Sequence, residues 1–205
     1  MVARVQVLLI RHALPLRSEV GEGSDPELAP DGWEQARRLP AALKRFGISR
    51  LVSSPQRRAR QTADPVAGAL GLPVDIDDRM AEYDRGMSHY VPLEEVRTER
   101  PHDWARMADG QLPGAVDTEE FTARVLSALQ DIVGSADHTE TVAVFSHGGV
   151  INVVLHEILG TAKPLSFPID YASVTHLRHS RQGTFTVAGV NAIEHVWDLL
   201  PHRLR

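Results

Sequence analysis

The chain has 205 residues, a formal net charge of −5 and no cysteine. Disulfides, thiolate metal sites and a cysteine nucleophile are therefore excluded, and a mildly acidic chain is a poor candidate for nucleic-acid binding. The length fits one domain over 1–205, able to bury roughly 70% of its unfolded surface without staples.

Residues 5–10 (VQVLLI) predict a buried strand, apolar on both faces, that ends on Arg11 and His12. That apolar run is too short for a signal-peptide core, and nothing in the chain approaches the roughly 20 apolar residues of a membrane span. With no cysteine, these features fit the cytoplasm. Residues 18–30, with Gly21, Gly23, Pro26 and Pro30, predict a loop. A helix follows over 31–46: Asp31 can cap it, Trp33, Ala36, Leu39 and Leu43 fall at helical spacing, and Gly47 ends it. Residues 49–53 predict a short strand. Ser54 then suits an N-cap and Pro55 the first position of a helix that runs to about Ala69, with Pro65 as a kink point. Residues 73–76 predict a strand, 82–92 an ordered loop, and 93–108 a helix interrupted at Pro101. Asp117 with Glu120 caps a helix over 117–134, whose stripe is Phe121, Val125, Leu126, Leu129 and Ile132. Residues 141–146 form a second buried strand and 149–159 a helix. Two strands, 172–178 and 184–190, close the chain around a Ser-Arg-Gln-Gly turn.

Alternating strands and helices imply an α/β fold, a three-layer α/β/α sandwich with a mostly parallel central sheet. In such sheets ligands bind beyond the carboxyl ends of the strands. Three strand ends carry chemistry: Arg11-His12, then Ser53-Ser54 with Arg57, Arg58 and Arg60, then Ser146-His147-Gly148-Gly149. Cations at a helix start oppose the helix dipole unless an anion sits among them. Arg57 and Arg60 read as a solvated face; Arg58, beside the small Ala59, reads as a phosphate ligand. Gly148 and Gly149 let backbone N–H groups approach an anion. Each histidine alone reads equally well as a turn residue bonded to backbone. Two histidines and two arginines at one sheet edge describe a pocket for a doubly charged oxyanion. Arginine binds phosphate oxygens bidentately and histidine can attack phosphorus.

Other hydrolytic chemistries lack their parts. Ser146 has no G-x-S-x-G elbow, His156-Glu157 has no second histidine four residues on, His102-Asp103 stands alone, and His176 and His179 fall on opposite strand faces.

Taken together the motifs resemble the histidine phosphatase superfamily, which has the phosphoglycerate mutase-like fold. They are LLIRHA with Arg11 and His12, LAPDGWEQA at 28–36, SSPQRRARQTA at 53–63, RMAEYDRG at 79–86, SHGGVI at 146–151, ASVTHL, and Asn191 to His195. The resemblance implies His12 as nucleophile, Arg11, Arg58 and His147 as holders of the phosphoryl oxygens, and Glu82 as the acid for the leaving oxygen. Read alone, Glu82 would be a plain surface carboxylate. The resemblance implies no metal, no cofactor, and a phosphorylated small molecule as substrate; monomer and homodimer both stay open.

Three departures stand out. Ala13 and Pro15 replace a glycine and a hydroxyl residue, so Arg17 is a candidate phosphate ligand, with a solvent-facing loop arginine as the equal alternative. GMSHY at 86–90 replaces the common Gly-x-Trp-Glu-Gly, leaving Tyr83, Arg85 and His89 as candidates to line the leaving-group side. Residues 83–146 are too few for a mutase insert, so a phosphatase is expected ahead of a phosphoglycerate mutase-type phosphotransferase or a non-catalytic binding member.

Overall fold

The computed structural model describes residues 4–18 and 23–201; Gly21 of the expected loop lies outside them. Among the described residues six strands form one sheet: β1 (Arg4–Arg11), β2 (Arg50–Ser53), β3 (Val74–Ile76), β4 (Thr141–Ser146), β5 (Val174–Ser180) and β6 (Phe185–Ala192), in the order β3-β2-β4-β1-β5-β6. The first four are mutually parallel, and β5 and β6 add an antiparallel hairpin edge.

The helices are α1 (Pro30–Leu43), α2 (Arg57–Leu70), α3 (Leu93–Glu99), α4 (Pro101–Ala108), α5 (Thr118–Gly134) and α6 (Gly148–Leu159). Period-two alternation in the central strands feeds two cores. Val5, Val7 and Leu9 with Val142 and Val144 pack against α5 and α6 through residues such as Phe121, Val125 and Ile151. Leu8 and Ile10 with Ala143 and Phe145 face the other way, onto Ala36 and Leu39 of α1 and Ala63 and Val66 of α2. The result is the α/β/α sandwich that alternating elements predict. Among the described residues no helix is long and apolar enough to cross a membrane.

Several local expectations are corrected. Asp31 does not cap α1; the helix begins at Pro30 with Ala29 at the cap, and Asp31 lies in the first turn. Tertiary contact overrides the local signal here. Ala29 N–H donates to the Leu14 carbonyl at 3.0 Å, and α1 lies so close to that carbonyl that a Cβ on Gly32 would sit 1.9 Å from its oxygen. The last turn of the expected helix is a separate 3-10 turn, Lys44–Phe46. Ser54 is likewise not the cap of α2, which starts at Arg57 after Gln56. Its N–H still bonds the Phe145 carbonyl as an extension of the sheet, and its hydroxyl is engaged in the site. Asp117 does cap α5, accepting from the N–H groups of Glu119 and Glu120. The strand expected from 172 starts at Val174, because Ala172 adopts a left-handed φ of 54°.

Candidate active site

Strand register assembles the site. Arg11 pairs with Ser146 across β1 and β4, and Ser53 pairs with Phe145 across β2 and β4. One residue beyond those pairs come His12, His147 and Ser54, all at the carboxyl edge of the sheet. The His12 and His147 ring centroids lie 5.2 Å apart. His12 N–H donates to the Ser146 carbonyl at 2.8 Å, which ties the residue after β1 to the end of β4.

The ring of His12 is oriented by its own chain. Nδ1 lies 2.8 Å from the Ala13 carbonyl, so Nδ1 carries the hydrogen and Nε2 keeps its lone pair. His12 is held well below the ordinary imidazole range by burial first, then by Arg58 and Arg11; only the Ala13 carbonyl opposes. The ring is therefore neutral at physiological pH. His147 is also depressed, by burial first and then by Arg58, His12 and Arg11. Its Nε2 meets Ser54 Oγ at 2.8 Å. Ser54 Oγ also accepts the Gln56 N–H, and with one O–H and two lone pairs it can either donate to Nε2 or accept from it. The buried His147 Nδ1 has no hydrogen-bond partner among the described residues. A buried polar nitrogen left in this state is costly unless a partner arrives.

Both arginines are buried. Arg11 Nη1 donates to the Ile169 carbonyl at 2.6 Å, and its guanidinium carbon lies 3.9 Å from the Tyr171 ring centroid. Arg58 has 0% exposure, sits over the Tyr90 ring at 4.7 Å, and donates to the Ser24 carbonyl and to both oxygens of Asp84. Its Nε has no hydrogen-bond partner among the described residues. A cation fully removed from water needs such anions around it.

Glu82 faces this cluster. Its Oε2 accepts the Gly149 N–H at 2.8 Å and its Oε1 the Tyr83 N–H at 3.1 Å. Burial, then the Asp84 carboxylate, pushes the Glu82 carboxyl up to about 7; the two N–H groups and Arg58 pull the other way. Gly149 has to be glycine here, since a Cβ would stand 2.4 Å from Glu82 Oε1 and 3.0 Å from the Tyr83 ring.

A cavity of about 310 Å³ opens on Arg11, His12, Arg58, Glu82, Gly148 and Gly149. His147, with its ring 5.2 Å from that of His12, is not among the lining residues. Arg17 does not join them. Its guanidinium pairs with Glu95 and Glu99 of α3, away from the cavity. The loop around Pro15 offers little to a phosphate either: the N–H groups of Ala13, Leu14 and Leu16 already bond Thr62, Gln35 and Glu27. Tyr83 and His89 do line the cavity, whereas Arg85 points to Asp78 on the surface.

Sequence reasoning placed Ser54 at the site's strand edge but gave it only a capping role, and it missed Asp84, Gln56, Tyr90 and Tyr171. Gln56 links the two acidic residues, donating from Nε2 to the Asp84 carboxylate and accepting the Glu82 backbone N–H at Oε1. Only Asp84 had a visible signal, a second acid two residues after Glu82. The others depend on side-chain direction across elements distant in sequence. Among the described residues no group of three or more histidine, aspartate or glutamate side chains is arranged to hold a metal ion.

Comparison with known proteins agrees with this geometry. The family model described as "Histidine phosphatase superfamily (branch 1)" matches residues 7–192. The chain is 28% identical over 203 residues to "Putative phosphoserine phosphatase 2" of Hydrogenobacter thermophilus, covering 95% of this chain and 98% of that protein. It is also 28% identical over 164 residues to "Probable phosphoglycerate mutase GpmB" of an Enterobacter species, covering 76% and 75% of the two chains. Among solved structures, a mycobacterial glucosyl-3-phosphoglycerate phosphatase superposes with a TM-score of 0.75 at 24% identity, over 91% of this chain and 98% of that one.

Proposed function

The chain belongs to the histidine phosphatase superfamily, and from that premise we propose that it hydrolyses a phosphomonoester of a small molecule through a phosphohistidine on His12. The observation that carries the reading is the neutral His12, its Nε2 lone pair left free by the Ala13 bond, inside one cavity with Arg11, Arg58 and Glu82.

Two steps follow from these residues. His12 Nε2 attacks phosphorus, the N–P bond forms, and the bond to the ester oxygen breaks as Glu82 delivers its proton to that oxygen. Water then attacks phosphorus, Glu82 takes a proton from it, and the N–P bond breaks to release orthophosphate and neutral His12. Arg11, Arg58, His147 and the N–H groups at the start of α6, beginning with Gly148, offset the charge on the equatorial oxygens. These groups supply the positive field locally, so the reaction is expected to run without a metal or cofactor. Arg17, paired on α3, is left out of the phosphate site.

The whole site lies within one domain, and the cysteine-free chain suits a reducing cytoplasm. The test is turnover of p-nitrophenyl phosphate in EDTA between pH 4 and 8. Turnover with an acid-labile phosphoenzyme supports the reading, and no turnover at any of these values overturns it.

A further inference from the structure

The cavity has two chemically different ends. One holds the phosphoryl machinery. The other is walled by Trp104 and Met107 of α4, Val91 and Val96 from the segment before it and α3, and Leu165 and Phe167 after α6. Trp104 and Met107 are three residues apart and so share one helix face. None of the residues of α4 is fully buried, so its apolar face is turned into the cavity and not into a protein core.

The walls are built structures. Asn152 fixes Phe167 on both sides, donating from Nδ2 to its carbonyl and accepting its N–H at Oδ1, both near 3 Å. Leu165 N–H bonds the Gly110 carbonyl just past α4, which ties the two walls together at 2.8 Å.

Polar groups at this end are engaged in holding the chain. Arg100 contacts His89 Nε2 and its carbonyl and the Met87 sulfur. Asp103 accepts the Gly114 N–H. Apart from these two side chains, the residues named above as walls of this end are apolar.

We propose that the alcohol half of the substrate is a compact apolar group, aryl or branched alkyl, seated between α4 and the 165–169 segment. This rests on the phosphatase reading above, because it is the phosphoryl end that orients the ester. The volume, at the low end of ligand cavities of roughly 300–1,000 Å³, suits a compact occupant.

The test compares 3-phenylpropyl phosphate with O-phosphoserine and glycerol 1-phosphate, all esters of primary alcohols, with p-nitrophenyl phosphate as a control. The expected result is a kcat/KM preference for the phenylpropyl ester of roughly 10–200-fold, expressed mainly in KM. Trp104→Ala and, independently, Met107→Gln should reduce that preference. A wild-type preference below about tenfold, or one that survives both substitutions, overturns the proposal while p-nitrophenyl phosphate turnover leaves the phosphatase reading standing. Failure to turn over any of the four overturns both.

Discussion

Asp84 holds the Arg58 guanidinium from inside the phosphate site, with Nη2 at 2.9 and 2.8 Å from its two carboxylate oxygens. The same carboxylate is the second cause, after burial, of the elevated Glu82 carboxyl. One acid thus anchors the cation proposed to bind phosphate and favours the protonated form of the proposed general acid. Asp84→Asn removes the negative charge and leaves Arg58 to act on Glu82 alone. Glu82 then titrates lower, and the alkaline limb of kcat/KM on alkyl phosphates should move to lower pH. A profile that keeps its limb near pH 7 would show that Asp84 is only a structural partner of Arg58.

His12→Ala removes the nucleophile while its neighbours keep their places. Phosphoenzyme trapped by acid-free quench and gel should vanish, and turnover should fall by at least about 10³-fold. Phosphohistidine that still forms in this variant would assign the nucleophile elsewhere, with His147 the next ring in reach.

Glu82→Gln tests the acid through the leaving group. Loss of a general acid costs roughly 10²–10⁴-fold where the leaving oxygen needs a proton, and much less for p-nitrophenolate. Alkyl phosphate turnover should therefore fall far more than p-nitrophenyl phosphate turnover. Equal losses on both esters would argue against the role.

The same substitution has a stability signature. The Glu82 carboxyl is raised from 4.5 to about 7 in the folded protein, so the fold holds a proton there that the unfolded chain releases. Its contribution is fully present below pH 4.5 and is lost as pH rises through about 7, an amount of about 3 kcal/mol. At pH 8 Glu82→Gln escapes this penalty but loses one accepted backbone N–H, worth about 1 kcal/mol, for a net gain of about 2 kcal/mol. A rise in melting temperature of about 4–8 °C at pH 8, absent at pH 4, is expected in calorimetry. Equal shifts at both values would contradict the buried, proton-holding environment.

Much of the site was legible before any coordinates. LLIRH reads as a buried strand because every residue from Leu8 to Ile10 is apolar, and a buried strand can present a charged pair only past its end. SHGGVI carries a glycine at 149 whose replacement by any Cβ would strike Glu82, so the motif itself encodes close packing. Where reading failed, a long-range contact had displaced a local preference. Asp31 has the chemistry of a helix cap, yet Leu14 lying against Gly32 decides where α1 begins. Arg17 stayed open between a phosphate and a solvent-facing role; α3 brings Glu95 and Glu99 to it, and local sequence cannot show a partner 78 residues away.

The sequence by itself determined the sandwich and the order of its elements, because periodicity and motif spacing are properties of neighbouring residues, and it named the candidate reacting groups, Glu82 only through the family resemblance. The tertiary structure alone decided the state of those groups. Which nitrogen of His12 keeps its lone pair, how far Glu82 is raised, which anion meets Arg58 and what the far end of the cavity is made of all depend on burial and on partners supplied from other elements. Those are set by packing, and no local stretch of chain contains them.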